Sequence, residues 1–229
     1  MKKYAIITGG TKGIGHELVD KFILNGFHVI TCARNSKDLE LLANKNEGNV
    51  SVFKANLENK EEVIGFANFI NKETNSVHVL VNNAGVFLPG TIMEENNENF
   101  EKQMAINLNA VYYLTKALNS SLVNEDSYIA NICSTASFMA YANGGSYSIS
   151  KFALLGLTKV LREELKVRGI AVSAVMPGAT YTNSWEGTEL PIERFMKPND
   201  VANAVWLGYE SRKTAVIEEI ILRPVLGDI

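Results

Sequence analysis

The feature of this sequence that most constrains its fold is a repeated alternation of short apolar runs with longer amphipathic segments. Seven of the runs are bounded and rich in Val and Ile, which is typical of strands buried on both faces of a parallel sheet. These predicted strands span residues 4–8, 27–32, 50–53, 77–81, 128–133, 170–175 and 216–222.

Helical patterns separate the strands. The predicted helices span residues 14–25, 36–44, 96–120, 147–167 and 199–211, and one more carries Val63, Ile64, Ala67 and Ile70 behind Asn59. Asn59 with Glu62 three residues later resembles a capping box, and Gly26 is placed to end the first helix in a left-handed conformation. Strands that alternate with helices form βαβ units. We therefore predict an α/β fold, a single doubly wound (Rossmann) domain over residues 1–229 with a seven-stranded parallel sheet and helices on both faces.

Composition excludes several classes of protein. The 229 residues are 46% hydrophobic, and 22 basic against 25 acidic residues give a net charge of −3. This balance lacks the basic surface of a nucleic-acid-binding protein, and no apolar run approaches the ~20 residues that span a bilayer. A chain of this length buries enough surface to fold without disulfides or metals. No metal site is predicted. Cys32 and Cys133 lie in predicted strands. We expect buried, reduced thiols and a cytoplasmic location.

A glycine-rich turn, residues 8–15 (TGGTKGIG), joins the first predicted strand to the first helix. Glycines there permit a tight turn and the close approach of a pyrophosphate, which the helix start would bind through its N–H groups and dipole. The spacing differs from the general G-x-G-x-x-G fingerprint, so an ordinary strand-to-helix turn is the alternative interpretation. The segment 82–85 (NNAG) would face this turn across the switch point of a sheet ordered 3-2-1-4-5.

Tyr147, Lys151 and Ser134 form a second candidate site. Tyr147 and Lys151 are four residues apart at the start of a predicted helix, so their side chains share one face. A nearby ammonium favours the phenolate and lowers a phenol pKa that is ordinarily about 10. Such a pair by itself is more often a solvated surface pair. Ser134 favours the catalytic interpretation, because it ends the fifth predicted strand at the edge that faces the crevice.

With Asn107 in AINLNA and with residues 176–182 (MPGATYT), these motifs resemble the short-chain dehydrogenase/reductase family in its single-domain form. The six motifs occur in the family's order and cover nearly the whole chain. The resemblance implies that Tyr147 is the general acid during carbonyl reduction and that Ser134 binds the carbonyl oxygen. It further implies that Lys151 lowers the phenol pKa and holds the nicotinamide ribose. Asn107 would hold a water of the proton relay, or would simply kink the helix by bonding to the backbone.

The resemblance also implies a cofactor site. Its predicted residues are Gly9, Thr11, Lys12, Gly13, Ile14, Gly15, Arg34, Asn56, Leu57, Asn83, Ala84, Gly85, Tyr147, Lys151, Pro177, Gly178 and Thr182. Asn56 stands where many relatives carry Asp against the adenine amine, although an amide oxygen can still accept that bond. Thr182 would touch the carboxamide or the phosphates, or would be a plain turn residue.

The end of the second predicted strand predicts NADP(H) rather than NAD(H). NAD-dependent enzymes usually place an acid there for the ribose 2′-hydroxyl, and that acid repels a 2′-phosphate. This chain has Ala33 followed by Arg34, whose planar fork suits phosphate recognition. Lys12 in the glycine turn is expected to reach the same phosphate. The alternative is that both cations are solvated surface residues.

Three functions remain open, and an NADPH-dependent reductase of a ketone or aldehyde is the first. A short lid over residues 179–198 holds Tyr181, Trp185, Leu190, Phe195 and Met196, which either contact a hydrophobic substrate or pack the lid onto the core.

The second function is a 3-oxoacyl-[acyl-carrier-protein] reductase. It expects basic docking residues, of which Arg168 is one, whereas residues 119–127 hold two acids and no base. The third is a non-catalytic NADP-sensing protein, which expects a broken Tyr-x-x-x-Lys pattern. That pattern is intact here.

Two predicted helices indicate self-association. The segments 96–120 and 147–167 carry apolar residues on more than one side, Tyr112 and Phe152 among them. Such coverage exceeds what one sheet face can bury. Relatives form dimers and tetramers through these two helices, so we expect a homodimer or homotetramer whose other partner is a small carbonyl or alcohol substrate.

Overall fold

The computed structural model describes residues 2–229 and contains one seven-stranded sheet. Its strands are β1 (Lys3–Thr8), β2 (Phe27–Ala33), β3 (Val50–Lys54), β4 (Val77–Asn82), β5 (Tyr128–Ile132), β6 (Ala171–Pro177) and β7 (Glu219–Leu222). They lie in the order β3-β2-β1-β4-β5-β6-β7, and every neighbouring pair is parallel. The predicted doubly wound topology is confirmed, with its switch point between β1 and β4.

Over the described residues 2–229, seven α-helices surround the sheet. They are α1 (Gly13–Leu24), α2 (Ser36–Lys45), α3 (Lys60–Glu73), α4 (Asn97–Met104), α5 (Ala110–Ala117), α6 (Gly145–Leu165) and α7 (Pro198–Ser211). Helices α1 and α7 pack together on one face of the sheet, and α3, α5 and α6 lie over the other. Among residues 2–229, even the 21-residue α6 lacks the sustained apolar length needed to cross a membrane, as do the shorter helices.

The start of α3 keeps half of the predicted capping box. The Asn59 side chain accepts from the N–H groups of Glu61 and Glu62, as expected for an N-cap. Glu62 does not return the bond to Asn59. Its Oε2 instead accepts from the Asn56 N–H at 2.8 Å, which fixes the turn after β3.

The predicted continuous helix 96–120 is wrong in its middle. A π-helical turn, Ala105–Asn109, separates α4 from α5. Within this turn, the Asn107 side chain accepts from the Val86 N–H at 2.8 Å and donates to the Val86 carbonyl at 3.0 Å. These bonds to a loop outside the helix stabilise the wider turn. Turns of this kind are frequent at functional sites.

The last strand is shorter than the predicted 216–222. Only Glu219–Leu222 pairs with β6, because the chain before it is held differently. The Ser173 hydroxyl donates to the Ile217 carbonyl, and the Ala174 N–H donates to the Glu218 carbonyl. At Ile217 a side chain on β6 therefore makes the bond, and backbone pairing begins only with the Glu218 carbonyl.

Tyr128 on β5 is fully buried beneath α7. Its phenol oxygen makes no hydrogen bond of good geometry among the described residues, and burial raises its pKa to about 12, which the nearby Ser173 hydroxyl offsets only in part. A Cβ built on Gly208 of α7 would lie 2.2 Å from this oxygen and 2.8 Å from Cζ. Helix and sheet approach this closely because position 208 has no side chain.

We expect Gly208→Ala to destabilise the protein by about 1–3 kcal/mol, since the rigid buried ring cannot yield to the added methyl. In a Tyr128→Phe background the loss should be clearly smaller, because the nearest clashing atom is gone. Tyr128→Phe alone should change stability little, as it removes a hydroxyl without a partner. Urea unfolding of the four proteins measures this cycle.

Gly65→Ala in α3 is the matched control. There an added Cβ would make only an ordinary contact, 3.8 Å from the Phe53 ring, and a gain of up to about 1 kcal/mol is expected from helix propensity. Equal effects of Gly208→Ala in both backgrounds would contradict the packing account.

Candidate active site

Two adjoining cavities lie at the carboxyl ends of the strands, beside the switch point. Their volumes are about 660 and 520 Å³. We call them the nucleotide cavity and the substrate cavity. They share part of their lining, including Ile14, Asn83, Gly85 and Thr182, so they form one continuous crevice. This is where a doubly wound sheet binds its ligands.

Most of the predicted cofactor residues line the nucleotide cavity. They are Gly9, Thr11, Lys12, Gly13, Ile14, Gly15, Arg34, Asn56, Leu57, Asn83, Ala84, Gly85 and Thr182. The substrate cavity receives the remaining predicted site residues except Asn107, namely Ser134, Tyr147, Lys151, Pro177 and Gly178.

The glycine turn has the geometry of a phosphate cradle. Gly9 and Gly13 have φ of +70° and +53°, in the left-handed region that favours glycine. A Cβ on Gly15 would lie 2.0 Å from the Gly9 carbonyl oxygen, so no other residue fits there. Bare backbone thus faces the cavity where α1 begins. The residues present fit a dinucleotide, whose pyrophosphate would meet these N–H groups.

The NNAG loop is bound directly to the glycine turn. The Thr8 hydroxyl accepts from the N–H groups of Asn83 and Ala84 at 3.0 and 2.9 Å. The Asn83 amide donates back to the Thr8 carbonyl at 2.9 Å. Asn82 instead faces the sheet interior and donates to Asn131 at 2.8 Å. The first asparagine of the motif is therefore structural, and the second shapes the site.

The rim of the nucleotide cavity differs from expectation. Ala33 and the exposed Arg34 line it, as the sequence predicts for a 2′-phosphate site. Lys12, however, lies 3.1 Å from Asp38, a carboxylate on α2 that also lines the cavity. Sequence reasoning missed Asp38, although it follows Arg34 by only four residues.

Three candidate catalytic side chains meet on one wall of the substrate cavity. Lys151 is buried, and its Nζ donates to the Ile132 carbonyl at 2.8 Å and lies 5.8 Å from the centre of the Tyr147 ring. Ser134 caps the short turn after β5, with its Oγ accepting from the Ala136 N–H at 3.1 Å. Its hydroxyl hydrogen is thus available to donate into the cavity.

Burial governs the protonation of these groups. It raises the pKa of Tyr147 well above its ordinary value, and hydrogen bonding with Ser134 offsets this only in part. It lowers the pKa of Lys151 to about 8. The lowering of the phenol pKa expected from Lys151 stays a prediction, since the net shift in this arrangement is upward and burial is its largest cause. Near neutral pH the phenol is protonated, as a general acid must be.

Asn107 lies behind the cavity wall rather than in it. Besides its bonds to Val86, its amide donates to the Ser150 hydroxyl at 3.0 Å. A Cβ on Gly85 would lie 3.2 Å from the Asn107 oxygen and 3.5 Å from Lys151 Nζ. Gly85 therefore lets the NNAG loop sit against both groups.

Hydrogen bonds close the base of the lid, and its apolar residues differ in whether they pack on the core or line the substrate cavity. The Tyr181 N–H donates to the Met196 carbonyl at 2.9 Å, which closes the segment into a loop. Phe195 and Met196 are buried, and Leu190 is exposed. Of the five apolar residues, Trp185 lines the substrate cavity while also packing edge-on against Phe195.

Several residues of the substrate cavity have no local sequence signal. They are contributed by three separate segments and are Phe87, Met139, Tyr141, Ala142, Asp228 and Ile229. Phe87 packs edge-on against Tyr147 with ring centres 4.8 Å apart. Only the fold brings the NNAG loop, the loop before α6 and the carboxyl terminus to one place.

A buried polar network that the sequence did not reveal supports Tyr147. Gln103 is fully buried, and its side chain bonds to the Leu88 N–H and carbonyl and donates to the Ser146 hydroxyl at 2.6 Å. Ser146 donates to Glu95 at 2.7 Å. Ser146, the residue before Tyr147, is thereby connected through Gln103 to the loop that carries Phe87.

Among residues 2–229, no group of three His, Cys, Asp or Glu side chains is arranged to hold a metal ion.

Comparison with known proteins agrees with this geometry. A family model described as short chain dehydrogenase matches residues 3–190. The chain is 31% identical to sepiapterin reductase of Chlorobaculum tepidum, over 100% of this chain and 99% of that protein. It is 32% identical to a 3-oxoacyl-[acyl-carrier-protein] reductase of Rickettsia felis, over 89% and 87% of the two chains.

Solved structures give the same result. The chain superposes on a metagenomic short-chain oxidoreductase in complex with NADP with a TM-score of 0.84, 27% identity and 97% coverage of both chains. The family model covers most of the sequence, and the fold agrees. The chain is a member of the short-chain dehydrogenase family.

Proposed function

We propose that this protein is an NADPH-dependent oxidoreductase that reduces a ketone or aldehyde to an alcohol. The observation that carries the proposal is the convergence of Tyr147, Ser134 and Lys151 on one wall of the substrate cavity, beside a nucleotide cavity with a bare glycine cradle. An acid, a hydrogen-bond donor and a cation are the groups that carbonyl reduction requires.

The cofactor, when bound, supplies the hydride, and the protein supplies position and a proton. Tyr147 donates its phenolic proton to the carbonyl oxygen as negative charge develops there. Ser134 donates a second hydrogen bond to the same oxygen, and its position is fixed by its own turn. In the oxidative direction Tyr147 accepts the proton back.

Lys151 holds a positive charge close to the phenol. With a pKa of about 8, the Lys151 amine is protonated in most molecules at pH 7. Its bond to the Ile132 carbonyl uses one N–H and leaves two donors for ribose hydroxyls. Asn107 positions this region by bonding Ser150, the residue before Lys151. Its two bonds to the Val86 backbone within a π-turn support the second expectation for Asn107, that it alters the helix by bonding to the backbone.

The rim residues support NADPH. Ala33 leaves space and no charge where an acid would exclude a 2′-phosphate, and Arg34 offers a forked cation beside it. Two solved relatives at 27% and 26% identity were determined with NADP.

The substrate cavity favours a modest apolar carbonyl compound. Phe87, Tyr141, Trp185 and Met139 form much of its lining beside the polar wall. The relatives are named for different substrates, among them sepiapterin, a hydroxysteroid and an oxoacyl carrier protein.

The two alternative functions have less support. Arg168 is the one basic residue expected to dock a carrier protein, but its guanidinium bonds to Asn119, Leu122 and Asn124 within this chain. The intact Tyr-Lys pair weighs against a non-catalytic sensor.

The outer face of α5 and α6 supports a homodimer or homotetramer. Tyr112, Phe152 and Val160 lie there with 46%, 46% and 52% of their surfaces exposed. Large apolar side chains exposed together on neighbouring helices are typical of an interface between copies.

Tyr147→Phe should reduce kcat by about 10²–10⁴, because only the transferable proton is lost while the ring still packs on Phe87. Cofactor affinity should stay within about twofold of wild type. Steady-state NADPH oxidation and fluorescence titration measure the two effects. Tyr141→Phe, which removes a phenol from the same cavity, is the control and should cost far less. A Tyr147→Phe variant with more than about a tenth of the activity would exclude this residue as the acid.

Wild type should use NADPH with a higher kcat/KM than NADH, and Ala33→Asp combined with Arg34→Ala should reverse this preference. The new Asp at position 33 would bind the 2′-hydroxyl and repel a 2′-phosphate, and the variant also lacks the Arg34 guanidinium that would bind this phosphate. Kinetics with both cofactors decide the point. A double variant that still prefers NADPH would refute the assigned phosphate site.

Phe152→Glu should shift the protein from an oligomer to a monomer in light scattering, because a charge would be buried in the interface. Leu41→Glu, which adds the same charge to an exposed position on α2, should leave the mass unchanged. A wild-type protein that is monomeric at micromolar concentration would contradict the proposed assembly.

A further inference from the structure

Asp38 is the one acidic residue that lines the nucleotide cavity among residues 2–229, and it shares that lining with two cations, Lys12 and Arg34. Its Oδ2 is 3.1 Å from Lys12 Nζ, and three-quarters of its side chain is buried. The start of α2 holds it in place, since the Asp38 N–H donates to the Asn35 cap at 3.4 Å. The helix start therefore fixes the backbone of Asp38, and burial together with the contact to Lys12 keeps its carboxylate at the rim.

The pairing has a consequence for charge recognition. Lys12 and Arg34 supply two positive charges, and Asp38 cancels one of them. A 2′-phosphate carries close to two negative charges at neutral pH. To bind Lys12, the phosphate must compete with a carboxylate already in contact with it. A nucleotide without that phosphate leaves the Lys12–Asp38 pair intact.

We propose that Asp38 is a specificity-determining residue that limits the preference of this protein for 2′-phosphorylated over non-phosphorylated dinucleotides. It acts by holding Lys12 and by opposing the charge of the phosphate. This inference rests on the proposed nucleotide site, but it assigns a role opposite to that of Arg34. Removing the carboxylate should strengthen binding of the phosphorylated ligand, whereas removal of a binding residue usually weakens it.

The test is binding of two nucleotide fragments to the full chain by isothermal titration calorimetry. We use 2′,5′-ADP, which carries the 2′-phosphate, and 5′-ADP, which does not. Asp38→Asn should tighten binding of 2′,5′-ADP by about three- to tenfold, since close but partly exposed charges contribute modestly. Its effect on 5′-ADP should stay within about twofold. Binding of these fragments requires no turnover, so the result is independent of catalysis.

Asp20→Asn is the matched control. Asp20 pairs with Lys45 at 3.0 Å, bridging α1 and α2 with similar exposure, and it does not line the cavity. This variant removes the same charge from the same pair of helices and should leave both affinities unchanged. The gain in Asp38→Asn should also shrink between about 20 mM and about 500 mM salt, because screening weakens both interactions that are removed.

Each outcome decides the proposal. A selective, salt-sensitive gain for 2′,5′-ADP supports it. An unchanged affinity, an equal gain for both fragments, a gain that salt does not reduce, or an equal gain in Asp20→Asn would overturn it. If wild type does not prefer 2′,5′-ADP but Asp38→Asn does, the role of Asp38 stands and the assignment of NADPH as cofactor fails.

Discussion

The close approach of Gly15 to the Gly9 carbonyl is the contact on which both cavities depend. Because a Cβ would come within 2.0 Å of that oxygen, the chain can turn back this tightly only with glycine. The turn brings the start of α1 to the edge of the sheet and leaves Thr8 positioned to bond Asn83 across the switch point. The nucleotide cavity and the wall that it shares with the substrate cavity follow from this one joint between two strands.

The catalytic wall places charged and polar groups where solvent is largely excluded. Burial favours the neutral form of both Tyr147 and Lys151, raising the pKa of the phenol and lowering that of the amine. A buried ammonium without a carboxylate partner weakens the fold. The Ile132 carbonyl gives Lys151 one strong acceptor, and the apolar core on both sheet faces offsets the remaining cost. Site function and local stability are opposed here, as is common in enzymes.

Positioning of this wall depends on polar groups that lie outside the cavity. Asn107 lies in the π-turn and bonds to Val86. Gln103 lies one turn earlier and bonds to Leu88 and Ser146. These two side chains connect the loop after β4 to the helix that carries Tyr147. Since each is buried and its side-chain amide is hydrogen-bonded, these two residues fix the loop against the helix.

The sequence by itself determined the alternation of strands with helices, the glycine turn and the spacing of Tyr147 and Lys151, because short-range periodicity and the conformational needs of glycine are local properties. Tertiary structure decided the break in helix 96–120, the Asp38 beside Lys12, and a substrate cavity that includes Phe87 and the carboxyl terminus. It also decided the net direction of the Tyr147 pKa, which burial raises, since desolvation depends on all the neighbours together. Local pattern specifies which elements form, whereas contacts between residues distant in the chain set the charge and shape of the site.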